Sequence, residues 1–120
     1  MLHRPRDTSE PSPNKLLAAL PRAEYRRLLP LLEAKPLPFK YILHEPGEIL
    51  RHVYFPGGGV CAITQSMRNQ RMVQVAIVGN EGFVGISALF GGDRVSSGAF
   101  VKVPDGAAQV MTAWAATNSG

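Results

Sequence analysis

Apolar residues in the first third of the chain recur at helical spacing. Steps of three and four residues separate many of Leu16, Leu17, Leu20, Tyr25, Leu28, Leu29 and Leu32. This periodicity places apolar side chains on one face of a helix. Pro21 suits the first turn of a helix, where its missing N–H is not needed, and Pro30 ends or kinks a helix. We therefore predict two short helices, about 14–20 and 22–29, in a helical lead-in that spans 14–33.

From residue 36 onward, turn signals interrupt the chain about every ten residues. They are rich in glycine, proline and asparagine, and lie at Pro46-Gly47, Pro56–Gly59, Arg68–Gln70, Gly79–Gly82, Gly91–Asp93 and Pro104–Gly106. Between them lie short segments that favour strands: Phe39–Leu43, His52–Phe55, Val60–Gln65, Met72–Val78 and Ala99–Val103. We predict a mainly β fold, an antiparallel β-roll of the double-stranded β-helix, jelly-roll-like kind, after short N-terminal helices.

The two ends of the chain differ from this β-rich middle. Residues 1–13 offer almost nothing to bury and are predicted to be a disordered leader. Residues 107–120 are rich in alanine, with Val110, Met111 and Trp114 at helical steps, which predicts one or two helical turns. We assign the folded domain to residues 14–111 and a truncated tail to residues 112–120.

Composition and charge limit the classes of function. The 120 residues and 13.0 kDa are the size of one domain. The net charge is +4, with nine of the 13 lysines and arginines in residues 1–51 among six acids. A solvated, mildly basic surface explains this better than a nucleic-acid-binding patch. The sequence has neither an apolar run of transmembrane length nor a signal peptide, so we expect a cytoplasmic protein without membrane contact.

Residues able to carry chemistry are few and scattered. Cys61 is the single cysteine, which excludes an intrachain disulfide, and we expect it to be a buried apolar residue. His44 and His52 lack the clustered histidines and glutamates of a metal site. Ser96 and Ser97 lack the histidine and acid that activate a serine nucleophile. We therefore expect no enzymatic activity, no metal and no cofactor.

One segment departs from the strand pattern. Glu81–Phe90 lies between two glycine clusters, and its residues Phe83, Ile86 and Phe90 are spaced three and four apart. This spacing predicts a single helical turn from Gly85 to Phe90. Free N–H groups at a helix start that is opened by glycine can hold an anion such as a phosphate.

Several short motifs follow one another through residues 14–111: Asn14–Pro21, His44–Glu48, His52–Pro56, Val75–Gly85 and Ala88–Asp93. In this order they resemble the cyclic-nucleotide-binding domain of the Crp/Fnr superfamily of bacterial transcription regulators. No single motif is specific, and the match depends on all of them occurring in the family's order. The segment Val78–Gly82 resembles one branch of the superfamily, whose effectors are mostly not cyclic nucleotides or not known.

The resemblance implies where a ligand would bind. In the family's phosphate-binding cassette, glycine and helix N–H groups meet the cyclic phosphate, a carboxylate accepts from the ribose 2′-OH and an arginine neutralises the phosphate. The candidate cassette of this chain is Gly85, Ile86, Ser87, Ala88, Arg94, Ser96 and Ser97. Ile86 stands at the carboxylate position and cannot accept a hydrogen bond. Gly98 stands at the arginine position, with Arg94 as the nearby substitute, so we expect no classical binding of cyclic AMP.

The resemblance implies the effector-sensing domain of a Crp/Fnr-type regulator, with an unknown small-molecule effector. Since no charged residue follows Asp105, we predict a truncated regulator that lacks a helix-turn-helix and does not bind DNA specifically by itself. One alternative is a stand-alone module that binds a nucleotide or another small anion through Gly85, Arg94 and Ser97. A second is an interaction module that forms a homodimer, or a heterodimer with full-length relatives, through its helical lead-in and tail. The third, a cupin-like metalloenzyme, lacks the necessary ligand cluster.

Overall fold

The computed structural model describes residues 12–69, 71–85 and 96–112. Two α-helices and a 3₁₀ turn open this part of the chain: α1 Lys15–Ala18, α2 Arg22–Leu28 and the turn Leu29–Leu31. The side chain of Asn14 caps α1 by accepting hydrogen bonds from the N–H groups of Leu16 and Leu17, at 3.0 and 3.2 Å. Pro21 directly precedes α2, and Pro30 lies in the 3₁₀ turn that follows it. The two predicted helices are confirmed.

Among the described residues, the strands are β1 Leu32–Ala34, β2 Ile42–His44, β3 His52–Phe55, β4 Val60–Ser66, β5 Met72–Val78, β6 Ser97–Val103 and β7 Gln109–Thr112. They form two sheets, with the strand orders β1-β7-β3 and β2-β6-β4-β5. All of these strand pairings are antiparallel. The predicted antiparallel β-roll is therefore confirmed, and strands β2 to β6 coincide with the predicted segments to within a few residues.

Strand β7 lies where the sequence predicts helical turns, so that prediction is wrong for residues 109–112. β7 is the central strand of its sheet, and its first three residues are buried. A strand of four residues without polar–apolar alternation, such as Gln109–Thr112, cannot be distinguished from a helical turn by periodicity alone. Thr112, the first residue of the predicted tail 112–120, pairs with His52 in β3. Residues 113–120 lie outside the described residues.

Strand β1 shortens the predicted helical lead-in. The lead-in was expected to reach residue 33, but helical backbone ends at Leu31 and an extended strand begins at Leu32. Leu32 lies opposite Met111 in the pairing of β1 with β7. The hydrogen bonds to a strand far away in sequence therefore override a local spacing that is compatible with a helix.

Buried polar side chains hold the beginning of the described chain. Ser12 is buried, and its hydroxyl donates a hydrogen bond to the side-chain oxygen of Gln109. The amide nitrogen of Gln109 in turn donates to the hydroxyl of Tyr25 at 3.3 Å. The sequence predicted that Ser12 belongs to a disordered leader, 1–13. In the structure Ser12 is buried, since its hydroxyl donates to the buried side chain of Gln109. Residues 1–11 lie outside the described residues, and the leader stays a prediction there.

The described residues form three layers. The helices cover the outer face of the β1-β7-β3 sheet, where Leu17 and Tyr25 pack with Met111 in one apolar core. A second core, which includes Tyr54 and Val101, lies between the inner faces of the two sheets. Burial of such apolar surface stabilises a fold by about 25 cal/mol per Å². The second core ends at the part of the roll where the candidate site lies.

Asn14 connects the helical layer to the segment that leads into the candidate site. This side chain is fully buried, and its amide donates to the backbone carbonyls of Pro56, at 2.9 Å, and Gly82, at 2.8 Å. Since its oxygen also caps α1, both ends of the amide are satisfied, as a buried polar group requires. Gly82 precedes Gly85 by three residues, so Asn14 helps to position the start of the predicted cassette.

Candidate functional site

Strand register brings His44 into a row of residues on the inner face of the larger sheet. His44 lies opposite Ala99, Ala99 opposite Ile63, and Ile63 opposite Ala76. Residues directly opposite each other in antiparallel strands share a face of the sheet. Ala99 belongs to the core between the sheets, so this row faces inward, and His44 is only 6% exposed. His44 is therefore a buried polar group beside an otherwise apolar row.

The next row contains predicted site residues. Ser97 lies opposite Gln65, and Gln65 lies opposite Val73. The side-chain amide of Gln65 donates a hydrogen bond to the hydroxyl of Ser96 at 3.2 Å. Val73 is 38% exposed, as the edge strand β5 is exposed from Met72 to Ile77, so the larger sheet is open to solvent here as along the rest of this edge. The structure thus places Ser96 and Ser97 at the same end of the roll as His44.

Gly85 lies on the opposite side of this open end. Val84 and Tyr54 exchange backbone hydrogen bonds of 2.8 and 2.9 Å, which aligns the chain with β3. Gly85 has a φ of +101°, and a Cβ atom at this position would lie 2.4 Å from the carbonyl oxygen of His52. Only glycine combines this φ with this close approach. The backbone geometry of this chain therefore requires a glycine at position 85, where the family pattern also has one.

The structure brings together the two flanks of the predicted cassette but does not describe its centre. Gly85 lies against His52, whereas Ser97 accepts a hydrogen bond from the ring of His44. Both histidines line one cavity, so the two flanks meet at the same end of the roll. The other predicted site residues, Ile86, Ser87, Ala88 and Arg94, lie outside the described residues, as does the helical turn expected from Gly85 to Phe90 beyond its first residue.

The cavity lies between β2 and β3, beneath the loop that joins them. Its volume is about 160 Å³. The residues that line it are Leu43, His44, Glu48, Ile49, Leu50, Arg51, His52 and Tyr54. The lining combines apolar side chains with ionisable ones, which is the usual character of a small-molecule site.

His44 is neutral at physiological pH. Burial lowers the pKa of its imidazole, and the negative charge of Glu48 and the hydrogen bond to the backbone of Ser97 oppose this only in part. The buried Nε2 atom has no hydrogen-bond partner among the described residues. Nε2 is also closed off from solvent, so it is an unpaired polar atom of the interior.

Tyr54 is a second polar group of the lining. Burial raises the pKa of its hydroxyl to about 12, and interactions with Tyr41 and the charge of Glu48 add to the shift. The hydroxyl is therefore neutral at physiological pH and can both donate and accept a hydrogen bond. The neighbouring Tyr41 hydroxyl accepts a hydrogen bond from Lys35 Nζ at 3.2 Å.

Sequence reasoning missed Glu48 and Tyr54 as site residues. Both belong to the motifs His44–Glu48 and His52–Pro56, which carried the family resemblance without being assigned a role. The loop between them in the sequence hides their proximity, since β2 and β3 belong to different sheets and only the fold brings the two residues to one cavity. The signal available in the sequence was the presence of two histidines and two glutamates within nine residues, at 44–52.

We expect the free energy of unfolding to decrease as the pH falls below about 6.5, the ordinary value for histidine. The folded state lowers the pKa of both His44 and His52, mainly through burial. In the interval between each lowered pKa and about 6.5, the unfolded chain binds more protons than the folded chain, so acid favours unfolding. Urea unfolding at a series of pH values measures the effect.

A His44→Gln variant should show a weaker dependence of stability on pH, because glutamine does not titrate. His52→Gln is the matched comparison, since His52 is exposed and loses less hydration on folding. If the stability of His44→Gln depended on pH as strongly as that of the unsubstituted chain, His44 would not be a source of the pH dependence.

Cys61 is a buried residue, as predicted. It is 1% exposed, and burial raises the pKa of its thiol to about 11, with a smaller contribution from the charge of Asp105. A thiol with this pKa is almost entirely protonated at neutral pH and is a poor nucleophile. Within residues 12–69, 71–85 and 96–112, no group of three or more His, Cys, Asp or Glu residues could hold a metal ion.

No helix in the part of the chain that the structure describes is long and apolar enough to cross a membrane.

Solved structures with the same fold include domains of bacterial regulators. The N-terminal domain of a transcriptional regulator from Streptomyces coelicolor A3(2) matches with a TM-score of 0.74 and 17% identity, over 88% of this chain and 73% of that one. The Thermus thermophilus catabolite activator protein matches with a TM-score of 0.73 and 15% identity, over 90% of this chain and 49% of that one. The chain has the cyclic-nucleotide-binding fold. The predicted resemblance to Crp/Fnr-type sensor domains is thereby confirmed at the level of the fold.

A third relative in structure shows the same fold at similar length. A cyclic nucleotide-binding-like protein from Brucella abortus matches with a TM-score of 0.70 and 17% identity, over 87% of this chain and 88% of that one. No family model matches the sequence, and no curated protein matches it either.

Proposed function

We propose that this chain is the effector-sensing domain of a Crp/Fnr-type bacterial transcription regulator, that it works without catalysis, and that its effector is not cyclic AMP. The observation that carries the proposal is the cavity at the open end of the roll. It lies between the flanks of the predicted cassette, where a sensor domain of this fold is expected to bind its ligand.

Two features of the sequence argue against a cyclic phosphate as the ligand. In the proposed cassette, Ile86 leaves the ribose hydroxyl without its acceptor. Gly98 stands at the family's arginine position and cannot neutralise the phosphate.

In the proposed regulator, the effector would act by binding one of two states of the sensor domain more tightly than the other. The described helices have at most seven residues, in α2, and none of them is proposed to read DNA. The cytoplasm is the proposed compartment, as for any regulator that acts on a bacterial chromosome.

Isothermal titration of the folded chain with cyclic AMP and cyclic GMP tests the choice of effector. We expect no binding tighter than about 100 μM, equivalent to about −5.5 kcal/mol. Cooperative thermal unfolding of the same sample shows that the chain is folded.

Tighter binding of a cyclic nucleotide would contradict this proposal. In that event an Arg94→Ala variant identifies the anion-binding group, since loss of affinity would establish Arg94 as the substitute for the family's arginine.

A further inference from the structure

The fold keeps the titratable ring of His44 away from water. The residue is 6% exposed, and its Nε2 atom is buried without a hydrogen-bond partner among the described residues. A protonated imidazole carries a donor on each nitrogen and a positive charge, and an interior position without an acceptor satisfies neither. His44 therefore fits its place in the structure only while its ring is neutral.

The surroundings of His44 do not supply the missing acceptor. The residues that β6 and β4 place beside it carry no titratable side chain: Ser97, Gly98, Ala99 and Ile63. Titratable groups come from β3 and from the loop after β2, and these are His52, Tyr54, Glu45, Glu48 and Arg51. The charge of Glu48 favours a protonated His44, but Glu48 is exposed, so its carboxylate does not reach the closed-off Nε2 atom.

Strand β2 is the part of the larger sheet that can separate most easily. It has three residues and lies at the edge of the sheet among the described strands. Its pairing with β6 shifts register between Ile42 and His44, whereas β6 is paired with β4 from Ser97 to Val103. Local opening requires little free energy where few hydrogen bonds are lost. The end of β2 can therefore leave β6 while β6 stays paired with β4.

The turn that follows β2 can move together with His44. Residues 45–49 are exposed. The N–H of Glu48 donates to the carbonyl oxygen of Glu45 at 3.2 Å, and the N–H of Glu45 donates to the carboxylate of Glu48 at 2.8 Å. Both hydrogen bonds lie within the turn, so they survive its displacement. Since Glu48 and Ile49 line the cavity between β2 and β3, such a displacement changes the cavity.

We propose that His44 is a pH-sensitive switch: when its ring takes up a proton, His44 and the turn 45–48 leave β6, and the charged ring reaches water and the carboxylate of Glu48. In this open state the ring binds a proton near pH 6.5, as an exposed histidine does, whereas the closed state excludes the proton. The population of the open state therefore rises as the pH falls, by up to about tenfold per pH unit below about 6.5. The proposal concerns a conformational change of the fold and does not depend on the proposed sensing function.

Hydrogen exchange of the full chain, followed by proton–nitrogen NMR at about pH 7 and about pH 5.5, measures this opening. The protection of an amide compares its exchange rate with that of an unprotected amide at the same pH. We expect the protection of the amides of β2 to fall at least about threefold at the lower pH. Their exchange should not respond to low concentrations of urea, because a local opening exposes little surface. Amides in the centre of β4, which require global unfolding, should exchange faster as urea is added.

His44→Gln and His52→Gln form a matched pair of variants. Each removes one histidine, but only His44 is buried. We expect His44→Gln to abolish the fall in the protection of β2, because glutamine does not titrate. His52→Gln should retain the fall to within about a factor of two.

Constant protection of β2 between the two pH values would overturn the proposal, as would a fall that persists in His44→Gln or disappears in His52→Gln. A fall that depends on urea as strongly as the exchange of β4 would also overturn it, because acid would then unfold the whole chain. The unsubstituted chain provides a test that does not depend on the folding of a variant. If the NMR signals of the His44 ring showed protonation while β2 stayed protected, the charged ring would fit the closed state and the proposal would be wrong.

Discussion

Replacing Asp105 with alanine is expected to lower the free energy of unfolding by about 3–5 kcal/mol, since hydrogen bonds to a charged group contribute about 1.5–3 kcal/mol each and water recovers part of the loss. Asp105 is 3% exposed. Its carboxylate accepts hydrogen bonds from the backbone N–H groups of Gly57 at 2.8 Å, Gly58 at 3.0 Å and Ala107 at 2.8 Å. Alanine leaves these donors buried or partly buried without a partner. Urea unfolding at neutral pH measures the change.

Asp105→Asn is the control for this prediction. Oδ1 of Asp105 accepts from Gly58 and Ala107, whereas Oδ2 accepts from Gly57. Asparagine keeps one oxygen and places an amide nitrogen at the other position, so it should retain the first two bonds and cost less than alanine. An Asp105→Ala variant as stable as the unsubstituted chain would show that the carboxylate does not hold the 56–59 turn against the start of β7.

Gly85→Ala is expected to destabilise the chain and disturb the candidate site together. The φ of +101° at this position costs a non-glycine residue about 1–3 kcal/mol, and a forced displacement of packed backbone adds about 1–3 kcal/mol. The displaced atom is the carbonyl oxygen of His52, at 2.4 Å from the added Cβ, in a strand that lines the cavity. Unfolding measurements give the free energy, and NMR shifts of residues 43–54 report the change in the cavity.

Gly47→Ala separates backbone strain from the clash. Gly47 has a φ of +90°, but a Cβ atom there would meet nothing within 4 Å. This variant should therefore cost only the strain of about 1–3 kcal/mol and leave the shifts of Val84 and His52 unchanged. If Gly85→Ala and Gly47→Ala had the same free energy of unfolding, the close approach of residue 85 to His52 would not contribute to the loss of stability.

Most elements of the fold were predictable because local residues determine them. Pro21 and Pro30 place the boundaries of α2, since proline lacks an N–H and restricts its neighbours. Strands such as β3 and β5 agree with their predicted bounds because turn residues delimit them on both sides. Strands β1 and β7 were missed for one reason. Each is short, and each becomes a strand only by pairing with chain far away in sequence.

The candidate site was predictable only in part. Gly85, Ser96 and Ser97 were chosen by resemblance, and the structure places them at one end of the roll. Glu48 and Tyr54 were missed because the two histidines and two glutamates at 44–52 do not by themselves indicate a cavity. Their role depends on a shared cavity and on the desolvation of neighbouring groups, which no spacing along the chain encodes.

The sequence by itself determined the order of short helices and turn-delimited strands, and hence a β-roll, because proline, glycine and apolar periodicity act over a few residues. It also determined that Cys61 has no cysteine partner in this chain. Tertiary structure alone decided which strands pair, that β7 lies at the centre of its sheet, and that His44, Glu48 and Tyr54 line one cavity. The physical reason is that hydrogen bonds between strands and burial in the core bring together residues that are distant in sequence. The pKa and hydrogen bonding of a polar group then depend on its neighbours in the fold and on its loss of hydration.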